Sequence, residues 1–143
     1  MEKVSKSILG MAVYSVQEGQ MLGSVKNLLI DNKEKAVLGL IVERRKLNRE
    51  ERVITFEHIH NIGDDVITID KAVSLSHPRN IPQLLRQLRN PLQIIGARVF
   101  TIGGKTLGRV NEFRFNSQTG KITGLEMGGH NNNSIFKEKT AIN

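Results

Sequence analysis

The side chains that could do chemistry fall in a few short runs. Gly104-Lys105-Thr106 is similar to the end of a phosphate-binding loop, where backbone N–H groups and a lysine cradle phosphates. That loop needs a further glycine five residues before Gly104, where Val99 stands, and it must open a helix rather than sit in a hairpin. Nucleotide binding is therefore not expected. His58 and His60 alternate along the chain, so a strand would put both imidazoles on one face, with Asp64 and Asp65 close behind. A zinc site needs three or four ligands in defined positions. With no third ligand placed, surface or half-buried histidines are the expectation. The run from Arg44 to Arg52 is rich in basic side chains but has no interleaved aromatic on which bases could stack. His130-Asn131-Asn132-Asn133-Ser134 reads as a polar loop. No Ser/His/Asp arrangement or pair of carboxylates has catalytic spacing. The chain is expected to bind rather than catalyse, with no catalytic, cofactor or metal residues.

The net charge of +7 is unevenly placed. From Lys71 to Asn111 there is no Asp or Glu, while Lys71, Arg79, Arg86, Arg89, Arg98, Lys105 and Arg109 all lie there. The rest of the chain is balanced, so the whole excess sits in the middle. Arg79, Arg86, Arg89, Arg98, Lys105 and Arg109 are thus the candidate contacts for an anionic partner, weighed against plain solvated surface charge.

Composition bounds what can position these groups. The 143 residues suit one ordinary domain or two small ones, and with no Trp and 4% aromatics the core must come from Ile, Leu, Val and Met. There is no Cys, hence no disulfide or thiolate metal site. The longest apolar run, about Ala36–Val42, is far too short to span a bilayer, and the first residues have no apolar leader segment. A cytoplasmic protein without a membrane span is the expectation.

Self-comparison reveals a duplication. Ile8-Leu9-Gly10-Met11-Ala12-Val13-Tyr14-Ser15-Val16 matches Ile94-Ile95-Gly96-Ala97-Arg98-Val99-Phe100-Thr101-Ile102, 86 positions on. Leu22-Gly23-Ser24-Val25 matches Leu107-Gly108-Arg109-Val110 at 85, and the register holds to Gly39-Leu40 against Gly124-Leu125. Each copy reads as a β-meander. Strands are predicted at 11–16, 23–30, 37–43, 52–56 and 67–69, with Val25, Leu28 and Ile30 facing inward and 37–43 covered on both faces. Residues 57–62 read as either a 3₁₀ turn or a short strand. In copy two, Gly103-Gly104 and residues 116–120 supply the turns. Closing each sheet into a small barrel would remove its open edges.

All three prolines, Pro78, Pro82 and Pro91, lie between the copies. Ile81, Leu84, Leu85 and Leu88 recur at helical spacing. A single helix over 81–89 is predicted, capped by Asn80 and stopped by Pro91, with its apolar stripe packed on something. The organisation is then 1–75, a linker at 76–92, and 93–143.

The pattern Leu9-Gly10, strand, turn, Leu22-Gly23-Ser24-Val25, then Asp31 and Gly39-Leu40, resembles the PRC-barrel domain. So does the run from Ile54 to Ile67. The resemblance covers about Lys6 to Asp70 and again about Gln93 to Gly129. It implies an all-β fold, two small barrels joined by a short helical linker, and no catalytic residues. The family includes the C-terminal domains of a photosynthetic reaction-centre subunit and of a ribosome maturation factor, and the arrangement here is similar to small tandem proteins of bacteria. The functional expectation is a non-catalytic adaptor that docks a protein partner. The alternative is a ribosome- or RNA-associated factor using the basic 71–111 region, and a third reading is an enzyme with a site between the barrels. Copy two is also short: past Val42/Met127, copy one runs 28 residues to Asp70, whereas copy two has 16. The strand equivalent to 67–69 is therefore expected to be missing, with 135–136 and 141–142 as strand fragments. The open edge that results predicts a homo-oligomer through copy two.

Overall fold

Apolar side chains recurring at every second position set the strands, and glycine- and asparagine-rich turns separate them. In the computed structural model, which describes residues 1–44, 50–128 and 140–142, the elements run as follows. The first part holds β1 (Glu2–Val4), α1 (Ser5–Ile8), β2 (Ala12–Ser15), β3 (Gln20–Asp31), β4 (Ala36–Glu43), β5 (Glu51–Thr55), β6 (Ile59–Ile62) and β7 (Val66–Ile69). The linker holds α2 (Leu85–Arg89), and after it come β8 (Arg98–Thr101), β9 (Thr106–Asn116), β10 (Ile122–Met127) and β11 (Thr140–Ile142). The ambiguous stretch is both things in turn, a 3₁₀ turn at Phe56–His58 and then β6.

Copy one is a six-stranded sheet in the order β5-β4-β3-β2-β7-β6. Copy two has the order β1-β9-β8-β11, with β10 on the other edge of β9. The duplication extends to single hydrogen bonds. Gly10 N–H donates to Val25 O and Val25 N–H to Met11 O, as Gly96 N–H does to Val110 O and Val110 N–H to Ala97 O. The predicted closure does not occur among the described residues. The end strands β5 and β6 are consecutive in the chain, with the 3₁₀ turn between them, and no ladder joins them.

The linker is not the single helix expected. Two prolines four apart each open a separate 3₁₀ turn, Pro78–Asn80 and Pro82–Leu84, before α2 begins. Ile81, held at φ −126° and ψ 78° ahead of Pro82, lies outside the helical region. Asn80 therefore caps nothing; His77 takes that role, its Nδ1 accepting from Arg79 N–H at 3.2 Å. Ile81 and Leu84 are buried against Leu29 and Val53, with Leu38, Ile41 and Leu88 packed alongside. That covers the outer face of the β3–β4–β5 sheet, which is why β4 is apolar on both sides. The inner face joins one continuous core that runs from Ile8 and Val13 through Leu40 and Ile67 to Val99, Phe113 and Leu125.

The copies are locked together at equivalent positions. Ala36 bridges Lys121, its counterpart 85 residues on; Val37 N–H donates to Gly120 O at 2.7 Å, and Ile122 N–H to Lys35 O at 2.9 Å. This is a local two-fold. Gly120 (φ +79°) is fixed there because a Cβ would press on Val37 O at 2.7 Å. A second lock is an exchange. β1 pairs not with copy one but with β9, Lys3 opposite Phe115, and the buried Ser5 hydroxyl accepts from Phe113 N–H at 3.0 Å. The seat of β7 on β2, parallel, is filled on β8 by β11 running antiparallel. The fragment expected at 141–142 is thus a real strand. The loop over 45–49, the polar tract 130–134 and the fragment 135–136 lie outside the described residues.

Candidate functional site

Six basic side chains contiguous in sequence are divided by the fold into two groups. Arg79, Arg86 and Arg89 stand exposed on the linker that packs over copy one. Arg86 lines a depression beside Asp31, Asn90 and Pro91. Arg98, Lys105 and Arg109 stand exposed on the β8–β9 hairpin of copy two. Among the described residues none of the six has a carboxylate within 4.0 Å.

The hairpin group is the more ordered. Arg98 and Arg109 are directly opposite on neighbouring strands, a like-charge pair that disfavours folding by a few tenths of a kcal/mol or more. Arg109 Nη1 donates to Gly96 O at 3.0 Å, which fixes its head group. Thr101 Oγ1 accepts from Lys105 N–H at 3.0 Å and shapes the turn. Leu107 falls at the register shift between the Val99–Gly108 and Phe100–Thr106 pairs, where the strand bulges. It is 37% exposed, and Ile102 at the turn is 77% exposed. Sequence reasoning picked the charges here but missed the two apolar side chains between them. The available signal was Val16, the counterpart of Ile102, which is likewise exposed.

The other sequence candidates are not brought together. His58 Nδ1 is 2.6 Å from Thr55 Oγ1, whereas His60 Nδ1 is 3.1 Å from Asp70 Oδ1. The two imidazoles thus have separate partners, and no group of three or more His, Asp or Glu among the described residues is placed to share a metal. Gly104-Lys105-Thr106 runs from the turn into β9, not into a helix.

One pair of acids is perturbed. Glu112 and Glu126 face each other across β9 and β10. Hydrogen bonding to Glu126, then burial, raises the Glu112 carboxyl above the usual range. Accepting that proton from Glu112, with help from the Arg114 guanidinium, lowers Glu126, burial opposing. Glu126 is also paired with Arg114, and both acids are partly exposed on copy two.

The family model of the PRC-barrel domain matches residues 2–75 and 93–142. The chain belongs to the PRC-barrel family. Both PRC-barrel copies are therefore present, and PRC-barrel domains are non-catalytic protein-interaction domains. No curated protein matches the chain. Among the described residues, no helix is long and apolar enough to cross a membrane.

Proposed function

We propose that this tandem PRC-barrel chain is a non-catalytic adaptor that docks an acidic protein partner on the β8–β9 hairpin. Arg98, Lys105 and Arg109 supply the charge and Ile102 and Leu107 the apolar contact. Arg79, Arg86 and Arg89 form a second anionic-partner face on the linker. The observation that carries the reading is the Arg98–Arg109 pair. Two arginines stand opposite each other on neighbouring strands, with no carboxylate in ion-pair distance among the described residues, and Ile102 and Leu107 in the same hairpin are exposed. Interfaces favour arginine and apolar side chains in that combination.

A nucleic-acid partner would call for exposed aromatic platforms among the charges. Among the exposed large apolar side chains of the described residues, Tyr14 is the aromatic one, and it belongs to copy one. Fluorescence anisotropy with two probes tests the choice: a short peptide alternating Glu and Leu, and a single-stranded RNA of similar length. The peptide should bind at both low and moderate salt, and Arg98→Glu with Arg109→Glu should weaken it about tenfold. Tighter binding of the RNA, lost by orders of magnitude between about 50 and 200 mM salt, would instead establish the RNA reading.

A further inference from the structure

Where the linker crosses the junction of the two copies, the surface sinks into a cleft of about 660 Å³. That is the size range of ligand and peptide pockets. Each of the three parts of the chain contributes to it. Copy one supplies the start of β4 and the 3₁₀ turn after β5, the linker supplies Gln83, Leu84 and Gln87, and copy two supplies the β9–β10 turn. The Ala36–Lys121 bridge lies in its wall. A single copy would not possess it.

The floor is apolar, made by Val37, Leu38, Phe56 and Leu84. The rim is acidic: Asp31, Glu34 and Glu57 face one cation, Lys121. None of the three carboxylates is in an ion pair among the described residues. The basic neighbours in the same turn, Lys33 and Lys35, line adjoining depressions that Asp31 also borders. Asp31 Oδ1 accepts from Lys33 N–H at 3.0 Å, so Glu34 and Glu57 are the exposed acids of the rim, opposite in sign to a chain of net charge +7. Gln87, which lines the cleft, has a buried side-chain oxygen with no hydrogen-bond partner.

From this combination we infer that the junction cleft takes a basic segment of a partner protein, a Lys- or Arg-bearing stretch flanked by apolar residues. The apolar body of such a segment lies on the half-buried Leu38 and Phe56, and its cation meets Glu34 and Glu57. The site is independent of the basic hairpin and has the opposite charge preference, so one chain can hold two partners of unlike charge.

An NMR titration of the full chain tests this, with the capped peptide Leu-Lys-Leu-Arg-Leu as probe and its Glu-for-basic counterpart as control. Saturable shifts should be confined to amides around Ala36, Val37, Phe56 and Gln87, and the acidic control should leave them unmoved. Glu34→Lys with Glu57→Lys should weaken the probe about tenfold, since both side chains are exposed and the fold does not depend on them. Arg98→Glu with Arg109→Glu should leave it unchanged, so failure here is distinct from failure of the hairpin reading. Non-saturable shifts, shifts scattered over the surface, or undiminished binding by a folded Glu34→Lys/Glu57→Lys variant would each overturn the inference.

Discussion

Copy one completes its sheet from its own chain, whereas copy two borrows. In copy one, β7 lies parallel on β2 and β6 lies beyond it. In copy two, β11 reaches the same seat from the opposite direction, and β1 arrives from the far end of the sequence. The difference shows in one side chain: Leu22 is 4% exposed, and its counterpart Leu107 is 37% exposed. The shared part of the module is therefore the three-stranded meander β2–β3–β4, repeated as β8–β9–β10. The closing strand is interchangeable, because an edge needs hydrogen-bond partners and not a particular direction. Copy two, being less enclosed, is the one that presents apolar surface beside its charges.

The sharpest probe of this contrast is a matched pair of glycines. Gly23 and Gly108 both have positive φ, +155° and +129°, but a Cβ at Gly23 would overlap the Glu43 carbonyl, while one at Gly108 would meet Gly128 O at 3.6 Å, an ordinary contact. Gly23→Ala should cost about 3 kcal/mol and Gly108→Ala about 1 kcal/mol in chemical denaturation. Equal costs would show that the two copies are equally enclosed. Next in size is Ser5→Ala, which leaves Phe113 N–H buried and unpaired, at about 1–2 kcal/mol. Although Ser5 belongs to the first copy in sequence, hydrogen exchange should speed up mainly in β9 and β10. Faster exchange confined to β2–β7 would contradict the borrowing.

The smallest effect is electrostatic. The Glu112 carboxyl is raised, so the folded state keeps a proton there that the unfolded chain has released. That contribution favours folding at low pH and is lost as pH rises through the raised value. Glu126 is lowered and has the opposite sense: its contribution is present at higher pH and is lost as pH falls through its lowered value. Glu112→Gln should remove the first slope and stabilise copy two by a few tenths of a kcal/mol at neutral pH, seen as a small rise in melting temperature. A fall in melting temperature would mean that the pair is held together by more than the shared proton.

The repeat, the meander strands and the inward side chains Val25, Leu28 and Ile30 were legible in the sequence, because alternation and recurring glycines report directly on sheets. The linker helix was misjudged because apolar spacing at Ile81, Leu84 and Leu88 serves 3₁₀ turns as well as an α-helix, and the prolines decided between them. The strand β1 was invisible: Glu2-Lys3-Val4 has no apolar pattern, and its pairing is with residues at the other end of the chain. The six basic residues were found as one stretch, but their division between linker and hairpin depends on tertiary packing. The junction cleft gave no sequence signal, since Glu34, Glu57, Gln87 and Lys121 are widely separated in the chain.

The borrowed strand also sets an order of events in time. Residues 12–69 hold all the strands of the first sheet, so that sheet can assemble as soon as they have emerged from synthesis. Ser5 must wait for Phe113, 108 positions later, before its hydrogen bond exists. Contacts between such distant points form slowly, because the intervening chain must first be brought round. Until they form, Glu2–Val4 and the end of β9 both present unpaired backbone. The interval between finishing the first half and docking the second is therefore when this chain is most open to aggregation and to the wrong partner.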